Sequence, residues 1–562
     1  MRIILTGLAV LALAGCQDPD LPAASGTPAA ERIFEGGVIY TGGTQNRQVD
    51  MVAVAGGRIV CAGAPEACEA HAGPATERVD LNGAAMFPGF TDAHVHILGV
   101  GLRELNLNLE GVGSIAELQA RVAAAADGAV DVVAGRGWIE THWPEGRFPT
   151  AADLDAVVPD RPVVLVRADG HALVANSAAL AEAGVTADTP DPDGGEILRD
   201  ETGAATGMII DTAMAPFSIF LREPEGEARV RAYEAGARVL AASGWTGAHS
   251  MSVRYDDVDI LAQLAQEGRL PLRVHVFANP EHYDAVAGRA PRVEAGGRVT
   301  ANGIKFYMDG ALGSRGAALL SPYDDSPGST GLFIARDEAS QAMMRRALKD
   351  GVQISAHAIG DAGNRRLLDW MEASLDAVPA GERARPEPRW RVEHAQVLHP
   401  DDIARFGALG VVASMQPSHA IGDLHFAPAR IGLQRLEGAY AWRSLVETGA
   451  IVAGGSDAPV ERGEARIEFY AAAVRRDLEG YAGEGWNLHQ ALDRDDALKL
   501  FTLWPAWTVH LDGDLGEIAV GQRADFSVFD TDLMTAADLD LRDARPVMTV
   551  IDGAVAWRAD AE

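Results

Sequence analysis

Apolar positions along the chain follow two rhythms. From about Arg32 to Val79, and again near the C-terminus, runs such as "RIFEGGVIYTGG", "VDMVAVAGGRIVCAG" and "GEIAVGQRADFSVFD" alternate apolar with polar residues and stop at glycine. Period-two alternation bounded by glycine predicts short strands. Such segments at opposite ends of the chain pair, in this reading, into one small β-sandwich, 31–85 with 509–562. The middle is then an insertion into that sandwich.

The middle has a different rhythm. Apolar runs of strand length recur, each followed by a polar cluster and a helix-like stretch. They fall at Met86–His96, Trp245–His249, Leu272–Phe277, Gly303–Met308, Val352–His357, Trp390–His394, Val411–Gln416 and Ile451–Asp457. Between them, "ASQAMMRRALKDG" and "GNRRLLDWMEASLDAV" space apolar residues three and four apart, as an amphipathic helix does. Eight strand–helix units close a (β/α)8 barrel. The fold class expected is therefore α/β: a TIM barrel over 86–508 with a terminal β-sandwich. Two further strand-like runs, "DVVAGRGW" and "PVVLVRADG", lie between the first and second barrel strands, in a stretch too long for an ordinary connection. We read an inserted subdomain over the barrel mouth at about 103–240. Trp138, Trp143 and Phe148 either line a pocket there or pack the insertion.

Composition narrows the function classes. The 562 residues carry 48 Lys+Arg against 80 Asp+Glu, a formal charge of −32. A surface so acidic repels phosphates, which argues against a nucleic-acid partner. The N-terminus, "MRIILTGLAVLALAGC", has one basic residue and an apolar run from Ile3 to Ala14, too short to span a bilayer. Small residues precede Cys16, and the whole resembles the lipobox of bacterial lipoprotein signals. The resemblance implies a signal peptide over 1–15, a lipid anchor at Cys16 as the sole membrane contact, and a flexible tether over 16–30. Gln17 in place of Asp points to the outer membrane, facing the periplasm. An oxidising compartment permits Cys61 and Cys68 to pair; two unrelated thiols fit as well.

The chemistry concentrates at strand ends. Side chains in a strand alternate faces, so His94 and His96 face one way together with Asp92 and Phe90. At the C-terminal end of a barrel strand that direction is the mouth, where active sites sit. The theme repeats: His357 closes "VQISAH", His394 closes "RWRVEH", Asp457 lies in "AIVAGGSDAPV", and "GIKFYMDG" carries Lys305. Four imidazoles, a carboxylate and a lysine at matching positions need a common partner, and a metal ion satisfies several at once. His249 and His275, by contrast, read as core.

These residues match the signature of the amidohydrolase superfamily: H-x-H on strand one, Lys on strand four, His on strands five and six, Asp on strand eight. "KFYMDGALGSRGAAL", "RADGHALVANSAAL", "SMQPSHA" and "GGSDAPV" resemble its YtcJ-like branch, named for N-substituted formamide deformylase. The resemblance implies one or two divalent ions, zinc foremost with iron or manganese compatible. His94 and His96 would hold one, His357 and His394 the other. Lys305 is either carboxylated and bridging or a substrate-binding cation beside a single ion. The activity implied is hydrolysis of a C–N bond in a small-molecule amide, N-acyl or N-formyl, by a metal-activated hydroxide. Asp457 would act as general base and then acid. Softer expectations place His171, Arg315 and His419 against substrate. The same centre could cleave a lactone or phosphoester, and a non-catalytic metal- or ligand-binding lipoprotein is the alternative class. Gly455-Ser456-Asp457 lacks the G-x-S-x-G elbow of serine hydrolases. A homo-oligomer is compatible with the sequence.

Overall fold

The computed structural model describes residues 29–560, apart from 128–130, 142, 193, 222–223 and 336. The expected signal segment, Cys16 and most of the expected tether lie outside the described residues. Eight parallel strands form the barrel: β1 (Phe90–Val95), β2 (Trp245–Val253), β3 (Arg273–Ala278), β4 (Val299–Tyr307), β5 (Gln353–Ala358), β6 (Arg391–His394), β7 (Val412–Met415) and β8 (Val452–Gly454). They pair in chain order. The antiparallel strand Arg292–Glu294 lies beside β4. The circuit closes just past the ends of β8 and β1. There the Asp457 N–H donates to the His94 carbonyl at 2.7 Å and the His96 N–H to the Ala458 carbonyl at 2.9 Å. Asp92 ties the same seam, accepting from the Ser456 N–H at 2.9 Å and its hydroxyl at 2.5 Å. Only glycine fits at 455, because a Cβ there would lie 2.4 Å from the His94 nitrogen.

Two expectations about the first strand are corrected. The run Met86–His96 is two strands divided at Gly89. Ala85–Pro88 pairs with Val38–Tyr40 and Phe526–Phe529 in a terminal sheet, so the barrel begins at Phe90. The alternation is also broken. Phe90 packs among Trp245, Phe469, Phe501 and Phe529, away from the mouth. Against β2, one residue is gained between Asp92 and Val95. A bulge of this kind re-aims the side chains beyond it. His94 reaches the mouth because of the extra residue.

Strands from both ends of the chain share the sheet Ala554–Arg558, Pro546–Ile551, Phe526–Phe529, Ala85–Pro88, Val38–Tyr40, Gln48–Val49. It faces a second sheet of Arg58–Gly63, Met51–Ala55, Arg32–Glu35 and Glu77–Asp80. Phe34, Ile39, Val52, Met86, Phe526 and Val550 fill the space between them. Each such side chain contributes about 1.5–3 kcal/mol by leaving water. Cys61 and Cys68 form a disulfide at the edge of this unit.

Between β1 and β2 the chain builds a six-stranded mixed sheet of its own, from Leu107–Asn108 to Ala205–Asp211. Both strand-like runs are there, as Val133–Trp138 and Val163–Arg167, paired in parallel. Trp138 and Trp143 are buried in its core, their indole N–H groups donating to Leu165 and Val112 carbonyls. The insertion stops short of Gly226–Ala242, a helix that packs on Ile97–Leu105 and leads into β2. Gly101 and Gly236 permit that crossing: a Cβ at either would fall 1.7 Å from the Ala232 oxygen or 2.1 Å from the Ile97 oxygen.

Candidate metal centre

At the C-terminal mouth of the barrel a cavity of about 1160 Å³ opens between the strand ends and the inserted sheet. All six signature residues line it: His94, His96, Lys305, His357, His394 and Asp457. The tightest group is His94, His394 and Asp457, whose donor atoms all lie within 4.8 Å of one another. The Oδ1 atom of Asp457 is 3.3 Å from His94 Nε2 and 3.2 Å from His96 Nε2. It is buried without a hydrogen-bond partner among the described residues. A buried oxygen of this kind needs something to complete it, and a divalent cation suits an anionic oxygen beside two imidazoles.

The backbone is strained where the ligands sit. His394 has φ of 74° and Asp457 of 58°, left-handed values that non-glycine residues rarely adopt. Outliers of this kind persist where the surrounding structure over-determines them, and they gather at functional sites. The turn at His394 lets neighbours in sequence do different work. His394 faces the cavity, while Glu393 is buried below and accepts from His94 Nδ1 at 2.6 Å.

Hydrogen bonds fix which ring nitrogen is free. With Nδ1–H of His94 donated to Glu393, Nε2 keeps its lone pair and faces the cluster. Likewise His394 Nδ1 lies 2.7 Å from the Gln416 side-chain oxygen. His357 Nε2 lies 3.3 Å from the Gly310 carbonyl, and its ring centre is 4.6 Å from that of His394. Burial first, then the Lys305 charge, lower the pKa of His94 to about 4 and hold His357 well below its usual value. Burial does the same to His394, helped by the neighbouring imidazoles. These rings are neutral at pH 7, as ligands must be. Burial alone would raise the pKa of Asp457, but His94, His96 and His394 outweigh it and hold the carboxyl well below its usual range.

Lys305 is buried with Nζ 3.4 Å from His94 Nε2 and 4.7 Å from the Tyr307 ring centre. No carboxylate pairs with it among the described residues. His171 enters from the insertion and bonds through Nδ1 to Asp211 at 2.8 Å. Burial opposes its charge, yet the Asp211 bond and Asp169 prevail and raise its pKa. His419 lines the cavity with Nε2 3.7 Å from Asp457 Oδ2.

Arg315 is the correction. It lies outside the cavity lining, in a turn with φ of 62°, and its guanidinium pairs with Asp325 at 2.9 Å. Reading the residues also missed the layer beneath the ligands. Glu393 accepts from Arg391 at 2.7 Å and from Ser355 at 2.6 Å. Arg391 in turn holds Ser414 and the Ala93 carbonyl. Arg391 and Glu393 flanking Val392 inside a ligand-bearing run were the available signal: two charges on one face of a barrel strand must be satisfied inside it. His249 and His275 do lie in the interior below, with Arg391 bonded to His249 Nδ1 at 2.9 Å.

Comparisons with known proteins agree with this geometry. A profile described as Amidohydrolase family matches residues 77–556. YtcJ of Bacillus subtilis (strain 168), assigned to the amidohydrolases, is 33% identical over 538 residues, covering 93% of this chain and 99% of the relative. The N-substituted formamide deformylase of Arthrobacter pascens is 26% identical over 541 residues, 92% of this chain and 97% of that one. Among solved structures, a metal-dependent hydrolase of Pyrococcus horikoshii is 28% identical, with a TM-score of 0.73, covering 90% of this chain and 99% of its own. With a family profile along most of its length and a His/His/Asp cluster at the mouth of a TIM barrel, the chain belongs to the amidohydrolase family and is a metal-dependent hydrolase.

Proposed function

We propose that the protein hydrolyses an amide-type C–N bond, N-acyl or N-formyl, in a small molecule. The observation that carries this is Asp457: an ionised, buried carboxylate with one unsatisfied oxygen, set among neutral imidazoles and open to a cavity large enough for an amide. The name of the Arthrobacter pascens relative supports the bond type. Because His394 groups with His94 and Asp457, it would join His94, His96 and Asp457 on one ion in place of the expected pairing with His357, and His357 with Lys305, carboxylated on Nζ, would hold a second. Zinc suits these donors best. When bound, such an ion polarises a carbonyl and makes hydroxide available near neutral pH. Asp457 then receives the proton released from water and returns it to the departing nitrogen, the task a general base and acid performs. His171 and His419 stand above the cluster, where each can donate to a carbonyl oxygen of the substrate.

The test is turnover of N-formyl and N-acyl amines by protein prepared with zinc and by protein stripped with chelator. Amine release that needs the metal is expected; release that survives complete metal removal overturns the reading. For its place in the cell we propose the lipid anchor at Cys16. A Cys16→Ser variant should leave the membrane fraction for the soluble periplasm, and continued retention overturns the anchor.

A further inference from the structure

Among the described residues five arginines line the cavity: Arg103, Arg136, Arg167, Arg229 and Arg462. Four are matched by carboxylates. Arg103 is 2.9 Å from Glu104 and 3.3 Å from Glu110. Arg167 pairs with Glu140 and Asp169, Arg229 with Asp257, and Arg462 with Glu464. Arg136 has no acidic partner among the described residues. Its one hydrogen bond runs from Nη2 to the Ala168 carbonyl at 3.0 Å, and Nε is buried with nothing to accept its proton.

The side chain is firmly placed. Arg136 lies in the strand Val133–Trp138, in register between Asn108 and Val166. Gly170 makes room for the guanidinium, since a Cβ there would lie 3.3 Å from Nη2. The neighbouring residue, His171, lines the same cavity. Burial lowers the pKa of Arg136 while the carboxylates of Asp457 and Asp169 act against it. Arginine nonetheless stays charged at any ordinary pH. A guanidinium at the wall of a binding cavity, with unused N–H groups and no counter-ion, is matched by a planar anion.

We infer that Arg136 anchors a carboxylate carried by the substrate, so that the amides taken are those with an acid group on the acyl or the amine part. This rests on the hydrolase reading and narrows its substrates. Among the described residues the cavity's other arginines are paired with acids, and Lys305, the other cation without a carboxylate, belongs to the ion cluster beside His94, which leaves Arg136 to meet the anion. Asp169, already on the wall and, despite its burial, held ionised by Arg167 and His171, would repel an acid that missed Arg136.

The experiment uses matched probes: N-formylglycine and its primary amide, N-formylphenylalanine and its primary amide, succinamate and succinamide. Binding to the zinc-loaded full chain is followed by calorimetry, and amine or ammonia release is followed separately. Each acid should bind at least about tenfold more tightly than its neutral twin, about 1.4 kcal/mol. Arg136→Gln should erase that preference and leave the neutral twins unchanged. Arg136→Lys, which keeps charge but loses the planar fork, should fall between. An acid-to-amide ratio that Arg136→Gln leaves intact, or wild-type protein that favours no acid at millimolar concentration, overturns the inference. Selective binding without turnover would sink the hydrolase reading for these compounds and leave the anion subsite standing, so the two failures are distinct.

Discussion

The barrel holds two sets of buried imidazoles, and they differ in what lies in front of their lone pairs. At the mouth, His94, His357 and His394 face a cavity and the carboxylate of Asp457. Below, His249 and His275 lie 5.7 Å apart between ring centres, among Arg391, Phe277 and Thr91. Burial depresses the pKa in both sets. The upper set keeps its free nitrogens because Glu393 and Gln416 hold the opposite ones. In the lower set His249 accepts from a guanidinium, and neither nitrogen of His275 has a partner among the described residues. A neutral imidazole is therefore not a site by itself. It becomes one when a second hydrogen bond aims it at an anion and leaves space between them.

Breaking the upper set should have the largest effect. Asp457→Asn keeps the shape but gives up a charged ligand and the proton acceptor. Turnover should fall by about 10²–10⁴-fold, the usual contribution of a general base, with metal content measured alongside. A variant retaining full turnover would show that Asp457 is not the acceptor. Glu393→Gln tests the aiming of His94 and touches no substrate. Metal affinity should drop about 10–100-fold, read by competition with a chromogenic chelator, while circular dichroism stays native. Unchanged affinity would mean that Glu393 only satisfies Arg391.

The lower set predicts a smaller effect, on stability rather than activity. Burial, with Arg391 nearby, pushes the pKa of His275 to about 3 from 6.5. The unfolded ring therefore gains a proton as pH falls below 6.5, whereas the folded ring does not until about pH 3. Stability is lost through that window, because the unfolded state binds the extra proton. His275→Phe removes the loss. Compared with wild type it should gain ~2 kcal/mol on going from pH 7 to pH 5, measured by urea unfolding at the two pH values. A pH-independent difference would show that His275 shares its proton equilibrium with the unfolded chain.

Much of the site was legible because barrel strands present their ends in a fixed direction. The pattern of strand-length runs ending in His or Asp located His94, His96, His357, His394 and Asp457, and Lys305 came from within the fourth run; all six line the cavity. The layer beneath was harder to read. Glu393 adjoins His394 in sequence, and strict alternation would send one of the two away from the interior; the positive φ at His394 admits both. His94 likewise reaches the mouth only because β1 carries an extra residue against β2. Arg315 does not take its expected part, and Arg136, which reading the residues did not single out, lines the cavity, for a related reason. Each sits among glycines, in "GSRG" and "GRG", and residues outside those short runs, Asp325 and Ala168, decide where each guanidinium goes.

By itself the sequence determined the strand runs, the barrel they close, and the donor types at their ends, because alternation and glycine punctuation act over a few residues. Only the tertiary structure decided the division at Gly89, the pairing of Cys61 with Cys68, the nitrogen each histidine offers, and which cavity arginine is left without an acid among the described residues. Apart from the disulfide, whose cysteines are 7 positions apart, those outcomes depend on contacts between residues tens to hundreds of positions apart, and no local period encodes them.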